Sequence, residues 1–166
     1  DIPTRRIEFF GNWENAGGGL GIDPDRHLYV NFHSNGYYHA FTSSFIPQID
    51  KWYIISASMT NGTLKFYVNG APQTRIDADS EAEAEYLNFT GNITPSPLPM
   101  LVGGNPAIIG GKIGPYIPAD MAVKYVLVYN TGLSDTDMLN NFTKPNENQN
   151  LDELASIPGL LVRNEF

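Results

Sequence analysis

The chain has 166 residues, of which 42% are hydrophobic and 12% aromatic, the composition of one globular domain with a sizeable core. Its 10 basic and 18 acidic residues give a formal net charge of -8, and a field of that sign repels nucleic acid and anionic membrane surfaces. No apolar run approaches the roughly 18 to 20 residues that span a bilayer, so we expect a soluble protein with neither partner.

Cysteine is absent, which excludes disulfides, thiolate zinc sites and cysteine nucleophiles together. Redox chemistry therefore does not decide the compartment. The first residue, Asp1, is neither an initiator methionine nor the start of a signal peptide, so we expect a processed or excised piece of a longer protein.

Short β-type segments follow one another along most of the chain. They are RRIEFF, RHLYVNFH, YYHAFTSSF, WYIISASMT, LKFYV and MAVKYVLVY, rich in β-branched and aromatic residues. Three Asn-Gly pairs, at 35–36, 61–62 and 69–70, lie between such segments and supply the positive φ angles of tight hairpin turns. The sequence therefore predicts an all-β, antiparallel protein.

Glycines cluster at 17–19, 103–104 and 110–111. None of these clusters opens a helix after a strand with phosphate-loop spacing. They are predicted to form loops and bulges, not nucleotide sites.

The Asn35-Gly36 turn assigns the faces of one hairpin. A two-residue turn pairs Ser34 with Tyr37, His33 with Tyr38, Phe32 with His39 and Val30 with Phe41. One face is then apolar and predicted to be core: Leu28, Val30, Phe32 and Phe41. The opposite face carries the candidate ligand-binding residues, Tyr29, Asn31, His33 and Tyr38.

That polar and aromatic face suits a sugar, whose C–H surfaces stack on rings while its hydroxyls need planar donors and acceptors. An ordinary solvated sheet face with scattered Tyr and His is the alternative. Trp13, in the GNWENAGGG loop, is a second candidate for stacking, and a rim residue that covers the core is its alternative.

The stretch RIDADSEAEAEYLN places a carboxylate at every second residue, namely Asp77, Asp79, Glu81, Glu83 and Glu85. Read as a strand, it gathers acids on one face as sugar-cleaving enzymes do, but its other face has almost nothing to bury. Read as a helix or irregular loop, it has a capping box at Ser80 and strong helix formers. We favour a solvated helical or irregular loop, with Asp77 and Asp79 as candidate calcium ligands because calcium prefers oxygen ligands.

Near the end of the chain, LSDTDMLNNF predicts one short helix. Ser134 is a good N-cap with Asp137 three residues on, and Leu133 and Met138 stand at the two positions of a hydrophobic staple. KPNENQN then has linker composition, and IPGLLVRNEF is again strand-like.

Four segments share a pattern with a known family. They begin at Trp52 (WYIISAS) and Asn61 (NGTLKFYVNG), and continue as LVGGN at 101–105 and ADMAVKYVLVYNTGLSDTDMLNNF at 119–142. Together they resemble the laminin-G-like and pentraxin-like branch of the concanavalin A-like lectin/glucanase superfamily, over residues 51–142. The resemblance implies a jelly-roll sandwich of two antiparallel sheets, often used outside cells to bind carbohydrate, sometimes with calcium. It also implies that Trp52 is a packing residue.

Domains of that family usually have strands ahead of the segment matched by RRIEFFGNW, and this chain has little room for them. We therefore predict that GLLVRNEF, at 159–166, or a neighbouring chain fills that place in the sheet.

We thus expect residues 1–166 to form a single concanavalin A-like β-sandwich domain with one short C-terminal helix, in which the tail 144–166 completes a sheet. The leading functional expectation is a noncatalytic, secreted or cell-surface module that binds a glycan or polysaccharide, with calcium as candidate cofactor. One alternative is a structural or adhesion module of a larger surface, appendage or phage-tail protein, whose partners are other chains. A glycoside hydrolase or polysaccharide lyase is a second alternative, and it depends on the acidic run alone.

Overall fold

The computed structural model describes residues 7–11, 17–34, 37–60, 63–76, 101–102, 104–109, 112–118, 121–144 and 151–165. The strands are β1 (Ile7–Gly11), β2 (Gly18–Ile22), β3 (Leu28–Ser34), β4 (Tyr37–Thr42), β5 (Ile55–Thr60), β6 (Thr63–Val68), β7 (Ala71–Pro72), β8 (Leu101–Val102), β9 (Gly104–Ile109), β10 (Lys112–Pro118), β11 (Tyr125–Tyr129) and β12 (Leu160–Glu165). The helices are α1 (Asp135–Asn141) and α2 (Leu151–Ala155). Strand pairing within these ranges is antiparallel, which confirms the predicted all-β class. No helix in them is long and apolar enough to cross a membrane.

The chain divides into two compact units. The first comprises Asp1–Pro47, Arg75–Ala78 and Thr90–Ala122, and the second comprises Gln48–Thr74, Asp79–Phe89 and Val123–Phe166. A five-stranded sheet of order β4-β3-β2-β1-β8 and the β9-β10 hairpin lie in the first unit. The β5-β6-β7 sheet, the β11-β12 pair and both helices lie in the second. A single domain over residues 1–166 stays a prediction.

The β3–β4 hairpin has the predicted register. Ser34 pairs with Tyr37, and the ladder continues outward through His33 with Tyr38, Phe32 with His39 and Val30 with Phe41. Leu28, Val30 and Phe32 are buried, as expected for the core face, and Phe41 is half-buried. The strand alternation and the turn position were sufficient to fix this pairing.

The 69–70 turn is also as predicted. Asn69 and Gly70 have φ angles of 50° and 75°, both in the left-handed region. A side chain at Gly70 would lie 2.6 Å from the Met138 carbonyl oxygen, so helix α1 approaches this turn closely. The other two Asn-Gly pairs lie outside the described residues, although the strands that flank them pair up to Ser34–Tyr37 and Thr60–Thr63.

A tight turn connects β2 to β3. The Asp23 amide donates to the His27 carbonyl oxygen at 3.0 Å, and the His27 amide donates to Oδ1 of Asp23 at 2.8 Å. Arg26, with a φ angle of 70°, donates its amide to the Asp23 carbonyl at 3.0 Å. The Asp23 side chain thus closes the turn from within, as Asp does in turns that include a left-handed residue.

The core of the second unit lies around helix α1, in a buried cluster of Ile54, Tyr67, Leu133, Met138, Phe142 and Leu154. The predicted capping box is present: the Asp137 amide donates to Oγ of Ser134 at 3.2 Å, and the Ser134 amide donates to Oδ2 of Asp137 at 2.9 Å. The two residues of the predicted staple, Leu133 and Met138, both belong to the buried cluster.

Helix α2 was not predicted, so the described residues contain two short helices where one was expected. It buries Leu154, which is 1% exposed, and places Asp152 and Glu153 in its first turn, where acids favour helix formation. At five residues the helix is too short for a helical period to be visible in the sequence.

The strand-like tail joins a sheet. Strand β12 pairs with β11, from Tyr125–Glu165 to Tyr129–Leu160, while β8 pairs with β1. Gly159, with a φ angle of 94°, accepts a hydrogen bond at 2.9 Å from the Asn130 amide just after β11. This contact directs the tail along β11. That the tail or a neighbouring chain takes the place of the family's leading strands stays a prediction.

Candidate functional site

Strand β2 carries glycines where its neighbours carry polar side chains. Gly21 pairs with Glu8 on β1 and with Tyr29 on β3, and Gly19 pairs with Asn31 on β3. Strands β1 and β3 are two strand spacings apart, roughly 10 Å. Because the two glycines lack side chains, side chains from β1 and β3 can meet across β2.

The close approach requires glycine at both positions. A methyl group at Gly19 would lie 2.8 Å from Cδ of Glu8, and one at Gly21 would lie 2.8 Å from the ring of Tyr29. Gly18 and Gly19 lie inside a strand, so the prediction that the 17–19 cluster forms a loop or bulge was wrong for these two. Glycine in a strand marks a close approach of this kind.

Glu8, Tyr29 and Asn31 form a buried polar cluster, with 0%, 0% and 1% of their surfaces exposed. Nδ2 of Asn31 donates to Oε1 of Glu8 at 2.6 Å, and the Tyr29 hydroxyl donates to the same oxygen at 3.4 Å. A buried carboxylate is costly unless donors satisfy it, and these bonds offset part of that cost. Oδ1 of Asn31 has no hydrogen-bond partner among the described residues.

The cluster connects β1 and β3 across β2 and holds Tyr29 and Asn31 away from solvent. Neither the Tyr29 ring nor the Asn31 amide is presented to an external sugar in this arrangement. Sequence reasoning missed Glu8, although a single acid within the apolar segment RRIEFF, followed by a glycine run, was a usable signal.

The other predicted site residues have these positions. His33 and Tyr38 form a cross-strand pair in the β3–β4 ladder, two residues nearer the turn than the Asn31–Ala40 pair. Trp13, Asp77 and Asp79 lie outside the described residues. The glycan-binding and calcium assignments therefore stay predictions.

Within the described ranges, no three His, Asp or Glu side chains come together as a group that could hold a metal ion.

In the second unit, an exposed aromatic ring stands in the segment that leads to β5. Trp52 is 45% exposed, which differs from the packing role implied by the family resemblance. Ile49, three residues earlier, is 84% exposed. The side chains of Gln48, Asp50 and Lys51 between and beside them are also exposed.

Hydrogen bonds fix both ends of this segment. The Gln48 amide donates to the Tyr53 hydroxyl at 3.1 Å, which closes a turn over residues 48–53. The Ile54 amide donates to Oδ1 of Asn69 at 2.9 Å, and the Asn69 amide donates to the Ile54 carbonyl at 2.8 Å. The Gln48–Tyr53 turn is thus tied to the β6–β7 hairpin.

A charged network ties strand β6 to helix α1. Lys65 Nζ lies 2.8 Å from both carboxylate oxygens of Asp135, and the Tyr67 hydroxyl donates to Oδ1 of Asp135 at 2.6 Å. The hydrogen bond from Lys65, followed by that from Tyr67, lowers the pKa of Asp135. Burial, followed by the bond to Asp135, raises the pKa of Tyr67. Every partner is engaged in holding the helix, which is the role of this network.

Comparison of the chain with protein-family models, with curated proteins and with solved structures found no match in any of the three.

Proposed function

We propose that the chain is a noncatalytic carbohydrate-binding module, secreted or held at a cell surface, with the jelly-roll architecture that the family resemblance implies. The observation that carries the proposal is the β3–β4 register, which pairs His33 with Tyr38. By strand alternation these two residues belong to the face that also includes Tyr29 and Asn31.

We assign different roles to two parts of this face. Tyr29 and Asn31 lie in the buried cluster with Glu8, so their part of the face serves as a fixed support. The His33–Tyr38 pair lies nearer the Asn35-Gly36 connection, and it is the part of the face that we assign to sugar contact. An aromatic ring and an imidazole supply a stacking surface and hydrogen-bonding nitrogens.

Calcium is the candidate cofactor of this proposal. Asp77 and Asp79 supply two carboxylates two residues apart in the sequence, and calcium takes carboxylate and carbonyl oxygens as ligands. Removal of calcium with a chelator is expected to weaken glycan binding if these residues belong to the site.

The test is binding to a broad panel of soluble glycans and polysaccharides, with and without calcium. Wild type is expected to bind saturably, and Tyr38→Ala is expected to lose the binding contributed by the His33–Tyr38 pair. Tyr29→Phe is the matched control because it keeps a buried ring on the same face and removes the hydroxyl that donates to Glu8 at 3.4 Å. Absence of binding by the wild type in both conditions would remove the proposal.

A second candidate is a structural or adhesion module of a larger surface assembly. Leu161 on β12 and Leu139 on α1 are 63% and 60% exposed. Contiguous exposed apolar patches mark surfaces that pack against another chain, and these two side chains are the candidates for such a patch. A stable oligomer in sedimentation experiments that dissociates in Leu161→Lys would favour this candidate, and a monomeric wild type would count against it.

A further inference from the structure

We infer that the Gln48–Tyr53 turn is a sugar-binding platform whose stacking surface is the indole of Trp52. The inference rests on the proposed carbohydrate-binding function, and it places a contact surface in the second compact unit, whereas the His33–Tyr38 pair belongs to the first. The ligand class is a neutral oligosaccharide or polysaccharide.

The exposure of Trp52 is the first step. At 45% exposed, the side chain keeps about half of its surface in contact with the protein and offers the rest to solvent. The exposed part is aromatic surface of the kind on which the C–H groups of a sugar ring stack.

The rigidity of the turn is the second step. Its two ends are fixed by the Gln48–Tyr53 bond at 3.1 Å and by the paired bonds between Ile54 and Asn69 at 2.9 and 2.8 Å. Asp50 has a φ angle of 59°, a left-handed conformation that is uncommon for residues other than glycine. Because the turn is already ordered, a ligand loses less free energy in fixing it.

The polar side chains of the turn select the class of ligand. Gln48, Asp50 and Lys51 are exposed and supply an amide, a carboxylate and an ammonium group, which together can donate to and accept from hydroxyl groups. The charges of Asp50 and Lys51 cancel, so the turn has no net charge that would select a charged sugar.

Ile49 provides the discriminating control. Ile49 lies in the same turn, and its exposed fraction, 84%, is larger than that of Trp52. A surface that binds an apolar partner would use both side chains, because the free energy gained on binding is proportional to the apolar area removed from water. A surface that stacks a sugar depends on the ring and not on the aliphatic side chain.

The experiment is a calorimetric titration with the tightest-binding glycan from the panel, applied to wild type, Trp52→Ala, Trp52→Phe and Ile49→Ala. We expect Trp52→Ala to lose affinity about tenfold or more, since about 1.4 kcal/mol of stacking corresponds to that factor. Trp52→Phe is expected to keep most of the affinity because a ring remains. Ile49→Ala is expected to bind as the wild type does.

Thermal melting checks that each variant is folded. If Trp52→Ala does not fold, Trp52→Phe is used in its place. The glycan affinity of Trp52→Phe is then expected to fall measurably, but by less than tenfold. Unchanged binding by folded Trp52→Ala would overturn this inference and leave the proposed function standing. Equal losses in Trp52→Ala and Ile49→Ala would also overturn it, in favour of an apolar partner. No glycan binding by the wild type would overturn the proposed function itself.

Discussion

Asn31 and Glu8 are hydrogen-bonded at 2.6 Å although their strands, β3 and β1, do not pair with each other. Strand β2 lies between them and contributes glycine at the point of contact. The central part of the sheet is therefore fastened by side chains as well as by the backbone ladder. Both residues are nearly inaccessible to solvent, so water cannot replace a hydrogen bond that is lost by substitution of either one.

Replacement of Glu8 by Ala is expected to lower the free energy of unfolding by about 2 to 4 kcal/mol, because it leaves a cavity and removes the acceptor of the Asn31 amide. Glu8→Gln keeps the shape and one carbonyl oxygen, so its cost is expected to be smaller. Urea unfolding followed by circular dichroism measures both. Equal stability of Glu8→Ala and wild type would contradict the buried bond.

Gly19→Ala tests the contact from the other side. The added methyl would lie 2.8 Å from Cδ of Glu8, and such overpacking typically costs about 1 to 3 kcal/mol. In the double variant with Glu8→Ala, the methyl has room, so the combined loss is expected to be smaller than the sum of the single losses by about 1 kcal/mol. Strict additivity in this double-mutant cycle would show that the two residues do not touch.

The lowered pKa of Asp135 makes the stability of the protein depend on pH in the acid range. The hydrogen bonds from Lys65 and Tyr67 lower the pKa of Asp135 below the ordinary value of 3.8. At pH values between the folded pKa and the ordinary pKa, the unfolded chain therefore binds more protons than the folded one. The stability that Asp135 contributes is therefore fully present above its ordinary pKa and is lost as the pH falls through its pKa in the folded protein. Asp137, whose pKa is lowered by hydrogen bonds with Ser134, acts in the same direction.

The measurement is the urea midpoint from about pH 6 down to about pH 3, compared between wild type and Asp135→Asn. The variant is expected to lose less stability over this range, since its amide does not titrate. Asp25→Asn, at an exposed position in the β2–β3 turn, is the matched control and is expected to follow the wild type. Parallel curves for wild type and Asp135→Asn would refute the assignment.

Ser134→Ala removes the N-cap of α1 and is expected to cost about 1 kcal/mol, because the amide of Asp137 then loses its acceptor. Thr136→Ala, an exposed change in the same first turn, is expected to stay within about 0.5 kcal/mol of the wild type. Chemical unfolding of the three proteins separates the two effects. A cost for Thr136→Ala as large as that for Ser134→Ala would mean that the turn, and not the cap, is being measured.

Local signals predicted what depends on neighbours in the sequence. The Asn35-Gly36 pair fixed the β3–β4 register because a two-residue turn leaves one pairing, and Ser134 with Asp137 located the start of α1. These features involve contacts within a few residues. Propensity and turn chemistry are sufficient for them.

The polar cluster and the β11–β12 pair could not be found in this way. Glu8 and Asn31 are 23 residues apart, and their contact depends on which strand lies between them. The exposure of Trp52 was missed for a related reason: a family pattern gives an aromatic residue its usual role, whereas exposure depends on what covers it in this chain. Alternation predicted that Tyr29 and Asn31 share a face, but it does not tell whether that face is open.

Strand β2 has one further property that follows from its glycines. Residues 17, 19 and 21 are all glycine, so sliding the strand by two positions would still leave hydrogen atoms beneath the Glu8 carboxylate and would cause no collision there. On the face toward Glu8, the strand therefore does not determine its own register. The register of β2 against β3 is fixed by the connection from Asp23 to His27, because its hydrogen bonds set the length of the loop between the two strands.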